Sequence, residues 1–107
     1  MAKLERTFTG DFDQILDKIE NGVLNASMSA SLEDGCDYRY GDTRCSVRVF
    51  ERYSYTGGNR VSMNVTLFQT GNTIRLCAIT AGGSQATFFK LNTLGEEAFL
   101  ETLADIL

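Results

Sequence analysis

Residues 79–90 read ITAGGSQATFFK: an apolar run halts at Gly82 and Gly83, passes Ser84 and Gln85, and resumes at Phe88 and Phe89. The fold turns on whether those glycines fold a hairpin or lead into a helix. Glycine loops that cradle anions open directly into a helix N-terminus. Here the next residues, ATFFKL, have β character, so the stretch reads as two strands about a Gly83–Ser84 turn. That turn sets Ala78 against Phe89 and Leu76 against Leu91, apolar on apolar.

The same pairing logic extends upstream. Gly71–Asn72 tolerates the positive φ of a two-residue turn and pairs Leu67 with Leu76 and Val65 with Ala78. A three-residue loop, Gly57-Gly58-Asn59, puts Tyr53 across from Met63 and Val49 across from Leu67. Gly41–Asp42 sets Tyr38 opposite Cys45 and Cys36 opposite Val47. From Ala26 the period is already two, with Met28, Ala30 and Leu32 alternating with serines, and Asp34-Gly35 reads as a break or bulge. The apolar parity places Cys36, Tyr38, Cys45, Val47, Val49 and Tyr53 on the helix-facing side.

Helical period frames this run. Asp11 with Gln14 forms a capping pair, and Phe12, Ile15, Leu16, Ile19 and Val23 make one stripe of a helix from about Asp11 to Leu24. Before it, Lys3–Thr9 fits a strand with Leu4, Arg6 and Phe8 on one side. Thr93 with Glu96 reads as a capping box, and Phe99, Leu100, Leu103, Ile106 and Leu107 give a terminal helix in which Gly95 costs some propensity. The expected fold is α+β: a curved antiparallel sheet in the order strand, helix, about five strands, helix, with both helices on one face. That order resembles one half of the TATA-binding protein and the helix-grip folds, so TBP-like or helix-grip-like architecture is the expectation.

At 107 residues, residues 1–107 form one domain, large enough to bury a modest core without metal or disulfide staples. Three cysteines, Cys36, Cys45 and Cys77, and no histidine argue against a disulfide framework or a zinc site and for free thiols. No window carries the apolar length of a membrane helix and no leader is evident, so a cytoplasmic protein with no membrane association is expected. Without histidine, nucleophile elbow, metal cluster or phosphate loop, no catalytic residue, metal or cofactor is assigned.

The segments FDQILDKIENG, RVFERYSYTGGNRVSMNVTL and ITAGGSQATFFKLNTLGEEAFL also resemble an uncharacterised bacterial family of small single-domain proteins of unknown function. The resemblance covers essentially the whole chain. It implies a stand-alone bacterial domain with no assigned activity, and so lends no site residue.

Charge is unevenly spread. Residues 39–91 hold seven basic side chains against Asp42 and Glu51, whereas the remainder holds three against twelve carboxylates. On the register above, Arg44, Arg48, Arg52, Arg75 and Lys90 share the face away from the helices with Phe50, Phe68, Ile79 and Phe88. The candidate interface is therefore Arg48, Phe50, Arg52, Phe68, Arg75, Ile79 and Phe88, and the expected function is non-enzymatic self-association into a homo-oligomer through this face. Single-stranded nucleic acid, its bases stacked on rings and its phosphates on arginines, is a lesser reading, because the scattered charges form no dense basic patch. The alternative is a small apolar ligand between helix and sheet, in a pocket of Met28, Val49, Glu51, Tyr53, Met63 and Val65. Glu51 interrupts the inward parity there; it needs a partner, a raised pKa, or a bulge near Arg52 that turns it out.

Overall fold

The computed structural model describes residues 1–54, 59–82 and 89–107, with side chains placed from Leu94 onward in the last segment. Its elements are β1 (Ala2–Phe8), α1 (Phe12–Ala26), β2 (Ser31–Tyr40), β3 (Thr43–Tyr53), β4 (Arg60–Thr70), β5 (Thr73–Gly82) and α2 (Phe89–Ile106). The strands form one antiparallel sheet in the order β1-β5-β4-β3-β2.

Local chemistry sets several boundaries as expected. The Asp11 carboxylate accepts a hydrogen bond from the Gln14 N–H at 2.9 Å, satisfying one of the donors left over at the start of α1. Gly41 and Gly71 adopt positive φ, 61° and 59°, and close the β2–β3 and β4–β5 hairpins. The pairs Tyr38–Cys45, Cys36–Val47, Leu67–Leu76 and Val65–Ala78 all form. Phe12, Leu16, Ile19 and Val23 of α1 and Phe99 and Leu103 of α2 share one core with Phe50, Val61, Met63, Val65, Leu67, Ile74, Leu76 and Ala78. Both helices therefore cover the same face of the sheet.

The stretch 79–90 folds differently from its sequence reading. β5 runs to Gly82 and the chain is helical from Phe89, so Phe89, Lys90 and Leu91 do not belong to a strand; the Gly83–Ser84 turn and the residues up to Phe88 fall outside the described residues. The reason is non-local. The edge of β5 away from β4 is occupied by β1, with Leu4 opposite Ala78 and Phe8 opposite Ile74, so residues after β5 cannot fold back onto it as a hairpin. α2 accordingly starts upstream of Thr93, which is not its cap, and runs through Gly95 despite that residue's cost in propensity.

The curved TBP-like or helix-grip-like sheet is likewise not what forms. The sheet is open, with β1 and β2 as separate edges, and among the described residues four strands rather than about five follow α1. Curvature needs bulges or glycine kinks inside the strands. The β3–β4 and β4–β5 ladders run without a register shift, and among the described strands the one shift lies on edge strand β2, between Leu32 and Asp34.

The largest correction concerns β3. Tyr53 pairs with Arg60 and Phe50 with Met63, so the β3–β4 connection is longer than the three-residue loop and Val49 faces Asn64 rather than Leu67. An odd slip in register exchanges the two faces of a strand. Arg44, Ser46, Arg48, Phe50 and Arg52 consequently point toward the helices, while Cys45, Val47, Val49, Glu51 and Tyr53 point away; β2 follows, so Cys36 and Tyr38 are also on the outer side.

Candidate functional site

The inner face of β3 explains where the basic strand charge goes. Two of its arginines meet the acidic flank of α1. Arg44 binds the Asp13 carboxylate at 2.8 Å and lies over the Phe12 ring, 4.1 Å from its centroid. Arg48 binds Glu20 at 2.7 Å and Asp37 at 3.0 Å, and donates to the carbonyls of Cys36 and Val47. The Arg44 guanidinium holds the Asp13 carboxyl below the usual carboxylate range. The hydrogen bond from the Ser46 hydroxyl, more than Arg48, does the same for Asp37. Further along, Arg52 lies 4.4 Å from the Phe99 ring centroid and donates to Thr102 Oγ1 at 3.2 Å. These arginines fasten helices to sheet through apolar stems and charged heads.

Among the candidate interface residues, Arg48, Phe50 and Arg52 are therefore interior, and Phe50 is fully buried. Phe68, Arg75 and Ile79 do lie on the outer face, with Phe68 42% and Ile79 38% exposed. Phe88 lies outside the described residues. The structure groups the outer three with side chains that the hydrophobic pattern assigned inward. Rows across the sheet read Tyr38–Cys45–Phe68–Arg75–Thr7, Cys36–Val47–Thr66–Cys77–Glu5 and Asp34–Val49–Asn64–Ile79–Lys3. Within the described residues neither helix covers this face, and it carries a band of aliphatic, thiol and aromatic groups through its middle.

The band also carries the chain's thiols. All three cysteines are free and lie on it. Burial, and then the neighbouring Cys36 and Asp37, push the Cys45 thiol up, away from the thiolate that would make it a nucleophile. A hydrogen bond with Cys36 raises the Tyr38 phenol. Among the described residues no group of His, Cys, Asp and Glu is disposed to hold a metal ion, and no described helix is long and apolar enough to cross a membrane.

The proposed apolar pocket does not assemble. Met28 sits fully exposed in the turn after α1, Val49, Glu51 and Tyr53 are on the outer face, and Met63 and Val65 fill the core on the other side. Glu51 turns outward with its whole strand and without a bulge at Arg52; it accepts from Arg60 Nε at 2.7 Å, and Arg60 also lies 5.2 Å from the Tyr53 ring centroid. An open cleft of about 420 Å³ does exist between β3 and α2, lined by Arg52, Ser54, Leu94, Gly95, Glu97, Ala98 and Glu101. None of its lining but Arg52 figured in either candidate set. Glu96, expected in a capping box, is nearly buried instead, where it accepts from the Gly82 N–H at 2.8 Å and pairs with the N-terminal ammonium, clasping α2 to β5 and β1.

No curated protein matches the chain. Among solved structures it is similar to the solution structure of Chr148 from Cytophaga hutchinsonii, at 13% identity over 96% of this chain and 88% of that one, with a TM-score of 0.38. A likeness that weak does not carry over a fold or a role. The sequence itself is matched from residue 1 to residue 107 by the model of the family of unknown function DUF6054, and the chain belongs to that family.

Proposed function

We propose that this is a non-enzymatic interaction and assembly domain that self-associates through the outer face of its sheet. One observation carries the reading: both helices pack on the same side, so Phe68, Ile79, Val47 and Val49 form a band on the opposite side with no element of the described chain over it. An apolar band on a sheet face, with polar and charged residues around it, is the composition of a contact surface with a dry centre and a wet rim. Free thiols are at home in a reducing cytoplasm, which is where we place it.

The rival readings lose their physical basis. A strand-long row of arginines for phosphates is absent from the outer face, since Arg44, Arg48 and Arg52 serve the helices. The apolar pocket's members are split between two faces. Light scattering on a size-exclusion column at about 100 µM protein tests the proposal, that range being where a weak dimer is still populated. The expected result is a dimer mass for the native chain and a monomer mass for Phe68→Asp with unchanged far-UV circular dichroism. A monomer mass for the native chain overturns it.

A further inference from the structure

From the charges on the outer face we infer that the second copy sits on it about a twofold axis running along β4, giving a two-sheet sandwich in which β1 and β5 of each copy cover β2 and β3 of the other. This rests on the self-association proposed above and specifies its geometry.

An isologous contact must be complementary to itself. A twofold parallel to the strands and through β4 reverses the order of strands across the sheet while keeping each row level with itself. In the row Asp34–Val49–Asn64–Ile79–Lys3 it brings Lys3 of one copy over Asp34 of the other, and Ile79 over Val49. In the next row Cys77 meets Val47. In the third, Phe68 lies on the axis against its own twin and Arg75 approaches the Cys45–Tyr38 side, where a guanidinium can settle on the exposed Tyr38 ring. The one charge of the middle strand on this face is Arg60, at its first residue, and it is bound to Glu51; in the three rows above, Asn64, Thr66 and Phe68 occupy that strand, and Thr66 Oγ1 already donates to Asn64 Oδ1 at 3.2 Å. An axis across the strands has no such match, because it lays each strand over its own twin and leaves Lys3 near the other copy's β1.

Size agrees with this. Five strands about 4.8 Å apart, with roughly 27 Å of shared length, present about 600 Å² of sheet before side-chain relief is added. A standard interface buries ~800 Å² per partner. Aligned sheets cross at about 30°, so residues near β4 register best and the outer pairs are displaced by a few Å. Lys3 is suited to that, being exposed at the rim on a flexible four-carbon stem.

Charge reversal at the rim tests the geometry separately from association itself. Sedimentation equilibrium gives dimer dissociation constants for the native chain, Lys3→Asp, Asp34→Lys and the double variant. Each single reversal places like charges together and is expected to weaken the dimer about fivefold or more, and the double variant to recover native affinity within about twofold. As a second measurement, Phe68→Cys in a chain whose Cys36, Cys45 and Cys77 are replaced by serine is expected to cross-link to itself with a short bismaleimide, whereas Lys3→Cys in the same background is not. If the native chain dimerises but the two reversals are independent and Lys3→Cys cross-links to itself, the axis is wrong and self-association stands. If the native chain is monomeric at about 100 µM, the face belongs to a different partner and both are overturned.

Discussion

Replacing Arg48 by alanine distinguishes the two faces of β3 in one experiment. Were Arg48 on the solvated side, its loss would change stability by no more than about 0.5 kcal/mol, as for most surface substitutions. In the structure its side chain is 12% exposed and that of its partner Glu20 is 27% exposed, 2.7 Å away. Truncation removes two largely buried methylenes, each worth about 0.8 kcal/mol at full burial, and leaves Glu20 and two backbone carbonyls without their donor. Breaking a buried pair from one side costs about 3–5 kcal/mol. Water still reaches Glu20, so the lower end applies and the expected loss is about 3 kcal/mol. The more exposed Asp37, at 62%, adds little to that sum. For a domain of this size that loss lowers Tm by roughly 15 °C. Urea unfolding followed by far-UV circular dichroism, with Arg75→Ala as the exposed control, reads it directly. A double-mutant cycle with Glu20→Gln should return a coupling of about 1–3 kcal/mol. An Arg48→Ala variant as stable as Arg75→Ala would refute the inward placement of β3's arginines.

Phe50→Ala is expected to cost about 3–5 kcal/mol in the same assay, and Phe68→Ala less than about 1 at a protein concentration low enough to keep the chain monomeric, because within one chain the first ring is fully buried and the second is on the open face. Gly95→Ala gains about 1 kcal/mol of helix propensity but places a methyl 2.9 Å from Ser54 Cβ and closer still to its Oγ, so a net loss of about 1–2 kcal/mol is expected, relieved when Ser54 is also changed to glycine; a net gain would mean that α2 does not approach β3 there. Asp13 and Asp37 have carboxyls depressed in the folded state, so they bind fewer protons than in the unfolded chain and their stabilisation, complete above the ordinary carboxylate range, is lost as pH falls through it. The urea midpoint should therefore drop between about pH 5 and pH 2, with a shallower slope in Ser46→Ala, whose hydroxyl is the main cause at Asp37.

The local elements were legible because local chemistry decides them: Asp11 and the Phe12–Val23 stripe for α1, Gly41 and Gly71 for the hairpins, and the apolar stripe of Phe99 and Leu103 for α2. What hydrophobic alternation missed was the sign of β3, where medium-sized Cys45, Val47 and Val49 looked more interior than Arg44, Ser46 and Arg48. Alternation weighs a side chain alone, whereas an arginine with a carboxylate waiting for it buries its stem at little cost. A signal was present in the spacing. Arg44 and Arg48 lie about 13 Å apart along a strand, and Asp13 and Glu20 about 10 Å apart along a helix, so two such rows can meet in register. The start of α2 was illegible for another reason: whether Phe89–Leu91 can pair with β5 depends on β1, more than seventy positions away, having taken that edge.

The outward turn of β2 and β3 also changes what an interface here can be. With the arginines outside, self-association would have had to neutralise a row of like charges in each copy, which the summed repulsion opposes. With them inside, Arg44 and Arg48 bound to α1's carboxylates and Arg52 set against α2, the outer face keeps a sparse and mixed set: Lys3, Glu5 and Arg75 toward one edge, Asp34 and Glu51 toward the other, and Arg60 on the middle strand bound to Glu51. The first group is net positive and the second net negative, so a copy rotated by half a turn meets its opposite. The basic strands and acidic helices seen in the sequence are thus spent within the monomer. What is left over on the sheet is the small, polarised remainder on which the proposed self-association would draw.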